Sequence, residues 1–206
     1  MARLTTQSSA TRDDTRTRII QATLTTLRED GIVNASARAI ARKGDFNQAL
    51  IFYHFGSVTE LLVAAAAWEG RQRADRYAGR LAEVKTLPEI VAVARELHTE
   101  EVGEGGLNVL TQLLAGSASS PELKVGLLAA FAPWRKLVEE AVERTLADTP
   151  YAGVVPAEQM AYAITALFLG IELLHTLDPD QSAAPELFDT LAPLAQIIEA
   201  LIRPPT

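Results

Sequence analysis

The stretch from Ser36 to Phe55, SARAIARKGDFNQALIFYHF, constrains this chain more than any other. Ala37, Ile40 and Ala41 recur at i, i+3 and i+4, which puts an apolar stripe on one face of a short helix. Gly44 and Asp45 then break the period. Glycine takes positive φ without steric cost, and aspartate is among the few other residues that tolerate it. Phe46 restarts the pattern, Asn47 can cap a second helix, and Leu50, Ile51 and Phe55 are its apolar residues. Phe52 and Phe55 are both assigned to the core. Helix, three-to-four-residue turn, helix is the layout that sets a recognition helix in the major groove of DNA.

The flanking segments read as helices throughout. Residues 1–14 are polar, rich in Ser and Thr and without an apolar period, and are expected to form a disordered basic arm. Arg3, Arg12, Arg16 and Arg18 could reach DNA from it. A first helix follows from about Asp14 to Asp30, with Ile20, Leu24 and Leu27 at i, i+4 and i+7, and Gly31 stops it. Ser57 to Glu60 is a capping box that opens a long helix, and Thr86 to Glu89 is a second one. Pro133 is expected to kink or split the helical pattern that Ser120-Pro121 begins. Pro156 to Leu177 is apolar nearly all round, so several sides of it need covering. The last helix spans Pro185 to Ile202. No stretch alternates with the period of a strand. The fold class is therefore all-α, with an N-terminal three-helix domain over residues 15–58 and a C-terminal helical bundle over 59–206.

Charge separates along the same line. Residues 1–58 carry 8 Lys and Arg against 5 Asp and Glu, a net +3, and the remainder carries 11 against 21, a net −10. A basic head on an acidic body suggests that one end meets a polyanion. The chain has no cysteine, which excludes disulfides, thiolate metal sites and cysteine nucleophiles. The N-terminus lacks an apolar signal core, and the longest apolar run, Met160 to Ile171, is short for a bilayer crossing. A cytoplasmic protein without a membrane anchor is the expectation.

A helix-turn-helix that ends in Phe52-Tyr53-His54-Phe55, followed by Gly56-Ser57 and a long apolar helix, resembles the tetracycline-repressor (TetR) family of bacterial regulators. The resemblance is strong from Arg18 to about Val63 and continues only as an all-helical pattern of suitable length. Asp45 stands at the turn position where the family usually has Gly, and Val58 where a Lys is common. One phosphate contact is therefore expected to be missing. The resemblance implies dimerisation through the last two long helices and an effector held within the body.

Sequence readout calls for side chains on the first turn of the recognition helix, where Asn47, Gln48 and Ala49 stand. Gln48 can bond adenine bidentately, and Ala49 can touch a thymine methyl. Capping would occupy the Asn47 side chain. Arg38, Arg42, Tyr53 and His54 suit phosphates, and Ser36 can cap the preceding helix so that its free N–H groups face one.

Candidates for the effector site are Trp68, His98, Asn108, Gln112, Phe131, Trp134, Thr165, Phe168 and Glu172. Glu172 is the most informative, because a carboxylate in so apolar a helix needs a partner if buried, either a cationic ligand or an arginine across the dimer. Glu172 and His175 also form one E-x-x-H, half of the pairing that di-iron bundles use, but Glu96-Leu97-His98 has the wrong spacing for a second. No nucleophile elbow, P-loop or dinucleotide fingerprint is present. The expected function is a non-enzymatic, cofactor-free, ligand-responsive regulator, binding a near-palindromic operator as a homodimer and acting as a repressor. The alternatives are a helical metalloenzyme and a regulator-like protein that works only through protein partners.

Overall fold

The computed structural model describes residues 2–104, 106–177, 180 and 182–203. Among these the chain forms ten α-helices, one 3-10 turn (Ile32–Asn34) and no strand. The helices are α1 (Ala2–Asp30), α2 (Ala37–Gly44), α3 (Ala49–Phe55), α4 (Val58–Glu83) and α5 (Leu87–Glu104). They continue with α6 (Gly106–Ser117), α7 (Pro121–Ala130), α8 (Ala132–Leu146), α9 (Ala157–His175) and α10 (Ala183–Ile202).

Helix α1 corrects the expectation of a disordered arm over residues 1–14, since it opens at Ala2. The segment is polar, but it contains neither Gly nor Pro before Gly31, so nothing interrupts the i to i−4 ladder. Gly31 ends the helix with φ 75°. The expected caps are present. Ser57 Oγ accepts from the Glu60 N–H at 3.0 Å, and Glu89 accepts from the Lys85 and Thr86 N–H groups at 2.7 and 3.0 Å. Pro133 splits rather than kinks: α7 stops at Ala130 and α8 restarts with the proline in its first turn.

Two compact units result. The first comprises Met1–Gly70 and Asn108–Ala130, the second Arg71–Leu107 and Phe131–Thr206. The division falls inside α4, and the first unit takes in most of α6 and all of α7. Its core buries Ile19, Leu24 and Leu27 of α1, Ile40 and Ala41 of α2, Ile51 and Phe55 of α3, Leu61 and Ala65 of α4, and Val109, Leu113 and Leu123 beyond them.

The second unit packs α8 on α9 and α5 on α10. Tyr77, Leu81, Leu97, Trp134, Val138, Ala141 and Ala161 form one core cluster, and Ile171, Ala184 and Phe188 a smaller one. On α9 and α10, Tyr162, Leu167, Leu174, Ile197 and Leu201 are each more than half exposed. By length and composition α9 could cross a membrane, yet it carries the buried Glu172 and His175 among its packed positions.

Candidate DNA interface and effector cavity

The geometry of the turn rests on one residue. Asp45 adopts φ 52° and ψ 55°, the left-handed conformation, and its N–H closes α2 onto the Ala41 and Arg42 carbonyls. The turn thus keeps its shape with aspartate where glycine would be least strained. Gly44 is required for a different reason. A Cβ there would collide with the Phe46 ring and lie 2.8 Å from the Ala22 Cβ. The pair Gly44-Asp45 divides two tasks, close packing and positive φ, between neighbours.

Around this turn the predicted DNA-facing residues lie at the surface. Ser36 caps α2 by accepting from the Ala39 N–H at 3.3 Å. Ser36, Arg38, Arg42, Asn47, Gln48, Ala49 and Tyr53 are all exposed, and His54 is half-buried. Asn47 Oδ1 accepts from the Ala49 N–H at 2.8 Å, so the cap occupies that oxygen, and the exposed Gln48 amide makes no cap hydrogen bond among the described residues at the head of α3. Phe52 is 50% exposed and is not core, in contrast to the expectation. Ile51 and Phe55, four residues apart, take the inner face of α3, and Phe52 lies about 100° round the helix from Ile51.

Two arginines of α1 are engaged with the protein rather than held out for DNA. Arg18 Nε and Nη2 donate to the Gly44 carbonyl at 3.2 and 2.8 Å, and Nη2 also donates to the Asp45 carbonyl at 2.5 Å. Arg16 Nη1 donates to the His54 carbonyl at 2.5 Å while its guanidinium lies 4.3 Å from the Phe55 ring centroid. Each therefore satisfies carbonyls that a helix C-terminus leaves open, α2 in one case and α3 in the other. Burial lowers the His54 pKa from the ordinary histidine value, with Arg12 and Arg16 adding to the effect, so the ring is neutral near pH 7. Sequence reading missed this role because each interaction spans 26 or more residues.

The second unit contains an apolar cavity of about 350 Å³ lined from α4, α5, α8, α9 and α10 and open to solvent beside the half-exposed Leu167, Leu194 and Ile198. Of the predicted effector residues, Trp134 and Phe168 line it, their ring centroids 6.1 Å apart. A second chamber of about 320 Å³ shares five of its lining residues.

His98 and Glu172 are buried together. The His98 Nδ1 and Glu172 Oε1 are hydrogen-bonded at 2.8 Å, His175 meets the His98 ring edge-on at 4.8 Å, and Phe188 covers it. The partner of Glu172 in this unit is thus a histidine. Burial, and then the nearby Glu101, pushes the Glu172 carboxyl up to about 8, while burial lowers His98. Both shifts favour the uncharged forms of the acid and the imidazole. Glu101 is held by Arg73 at 2.7 Å and by the Tyr77 hydroxyl at 3.0 Å. Burial, with Glu101 second, raises that hydroxyl to about 12.

The other candidates separate. Thr165 is buried on α9, with no hydrogen-bond partner for its Oγ1 among the described residues, and Phe131 is half-buried before α8. Trp68, Asn108 and Gln112 belong to the first unit, where Gln112 Oε1 accepts from the Ile32 N–H at 2.8 Å. Among the described residues, no three His, Asp or Glu side chains converge as a metal cluster, and Glu172 turns to His98.

Residues 19–65 match the bacterial regulatory proteins of the tetR family. No curated protein sequence matches the chain. Among solved structures, the fold is similar to that of a TetR-family transcriptional regulator from Mesorhizobium loti. That match has TM-score 0.72 and 15% identity, over 91% of this chain and 97% of that one. The regulator FadR of Bacillus subtilis, solved with stearoyl-CoA, matches at TM-score 0.69 and 14% identity, over 92% and 99%. The multidrug binding protein EbrR, complexed with imidazole, matches at TM-score 0.59 and 26% identity, over 86% and 89%.

Proposed function

We propose, from a chain whose residues 19–65 match the bacterial regulatory proteins of the tetR family, a ligand-responsive repressor. It acts in the cytoplasm, binds a near-palindromic operator as a homodimer, and performs no catalysis. The observation that carries the reading is the head of α3, where Gln48 and Ala49 stand exposed beside the Asn47 cap, flanked by Arg38, Arg42 and Tyr53. A side chain with an exposed amide on the first turn suits the N6 and N7 edge of adenine, and the flanking cations and hydroxyls suit phosphates.

The exposed apolar positions of α9 and α10 support pairing of two copies, since apolar patches of that kind mark association surfaces. Two copies set two α3 helices to successive major grooves about 34–36 Å apart. The apolar cavity of the second unit supports an effector, as do the ligands named for EbrR and FadR. Such an effector acts by binding the DNA-incompetent state more tightly, and operator DNA weakens its binding by the same factor.

The test is fluorescence anisotropy on the DNA flanking the protein's own gene, across a salt series, with a random duplex as control. The expected result is specific binding whose logarithm falls linearly with the logarithm of salt concentration. Gln48→Ala should lower discrimination between the duplexes by about 1–3 kcal/mol and leave random-duplex binding nearly unchanged. Equal, weak binding of both duplexes, with no sequence recovered by selection from a random pool, would remove the regulator reading and favour a protein that acts only through protein partners.

A further inference from the structure

Resting on the reading of the second unit as an effector domain, we infer that its ligand is an uncharged, elongated, mainly aliphatic molecule, held along both chambers. The first chamber runs from the core to the surface, its outer edge formed by Leu167, Leu194 and Ile198, each about half exposed. Leu97, Val138, Ala141 and Phe188 form part of its wall, and each is at most 5% exposed. Protein interiors pack to the density of organic crystals, and the penalty for an apolar void rises with its volume. An apolar pocket of about 350 Å³ that reaches into such a core is a place for an apolar guest.

Shape and charge narrow the class. The two chambers share Ile90, Met160 and Ile164 among their common walls, so they lie in series and accommodate a chain better than a compact ring system. Neither lining contains a charged side chain. The polar residues of the second chamber are Thr145 and Tyr151, and the Thr145 hydroxyl donates to its own helix at the Ala141 carbonyl. The buried ionisable groups of the unit lie outside both linings. Glu172 bonds His98 through Oε1, and Glu101 bonds Arg73 and Tyr77, while Glu172 Oε2 has no hydrogen-bond partner among the described residues. A carboxylate or ammonium drawn into these chambers would lose its hydration and find no counter-charge. The chamber walls therefore select against both signs of charge.

The experiment is calorimetric titration of the full chain, without DNA, with 1-octanol, 1-decanol and 1-dodecanol below their solubility limits. Dodecanoate and dodecyltrimethylammonium, below their aggregation limits, are the charged controls. Affinity should rise about three- to fourfold per added CH2 along the alcohols. Both ions should bind at least about tenfold more weakly than dodecanol. Ala94→Phe, which fills the first chamber, should lower dodecanol affinity by about tenfold or more, with Val91→Phe on the same helix as the second variant should the first fail to fold.

No binding by any probe, no dependence on chain length, or equal binding of alcohol and ions would each overturn the inference. Loss of operator binding is read separately by anisotropy. Alcohol that binds the chain without releasing DNA upholds the ligand class and overturns the coupling in the proposed function. Failure to bind any DNA removes the regulator reading and leaves the calorimetric result for the chambers intact.

Discussion

The reader in the first unit and the bundle in the second use the same material, short amphipathic helices, to opposite ends. Around α2 and α3 the backbone is pinned by short contacts. Gly44 lies against Phe46 and Ala22, the Asn47 oxygen caps α3, and Arg16 and Arg18 hold the two helix C-termini. The second unit keeps two apolar chambers open and buries a carboxyl whose proton it retains near neutrality. A surface that must match the spacing of base edges gains from having one conformation. A compartment that admits a guest must leave interior surface unsatisfied until the guest arrives. The difference shows where stability and where responsiveness are placed.

The most forceful way to break the comparison is to add volume to each side. Gly44→Ala should cost about 2–3 kcal/mol, because the new methyl meets a ring and a methyl at once, and should abolish operator binding. Chemical denaturation checks the first effect and anisotropy the second. If the variant were as stable as the parent, the close packing assigned to the turn would be wrong.

Acidity sharpens the contrast next. A carboxyl raised from 4.5 to about 8 in the folded state stabilises fully below its unfolded pKa and loses that contribution as pH rises through the folded value. His98, lowered from 6.5, acts oppositely and only below its unfolded pKa. Between pH 6.5 and 8, Glu172 therefore stands alone of the two, and stability should fall by up to about 1.4 kcal/mol per pH unit. Glu172→Gln should flatten that slope in denaturation curves taken across the window. An unchanged slope would mean that Glu172 is already ionised at pH 6.5.

Smaller in size, Ala94→Phe should leave stability unchanged or raise it by about 0.5–2 kcal/mol, the reverse of the outcome at Gly44, as measured by the same denaturation. Asp45→Gly should gain about 0.5–1 kcal/mol by relieving the left-handed conformation while leaving Arg18 on the backbone carbonyl of that position.

The reader was legible because its signals are local. A cap at Ser36, a break at Gly44-Asp45, a cap at Asn47 and apolar residues at helical spacing all lie within one short stretch. What was not legible there came from tertiary neighbours. Phe52 has the composition of a core residue but lies on the outer face of α3, and the polar N-terminal segment continues a helix because nothing stops it. In the second unit, helical periodicity foretold the helices and their apolar faces but not whether those faces meet. Trp134 and Phe168 proved to face a void, whereas Gln112 is engaged by the Ile32 N–H, 80 residues away in the chain. The histidine partner of Glu172 lies 74 residues away. Spacing along a helix says which residues face inward. Only packing between distant segments says whether they leave room.

The arginine contacts of α1 bear on how the reader comes to fold. Helices α2 and α3 contain 8 and 7 residues, below the roughly 12–15 at which an isolated helix holds in water. Each therefore depends on its packing, to which α1 contributes its apolar face and two guanidinium groups. The 29-residue α1 is thus part of the support on which the turn is completed. A chain lacking residues 1–18 would keep Gln48, Ala49 and both capping residues in its sequence and lose both guanidinium contacts.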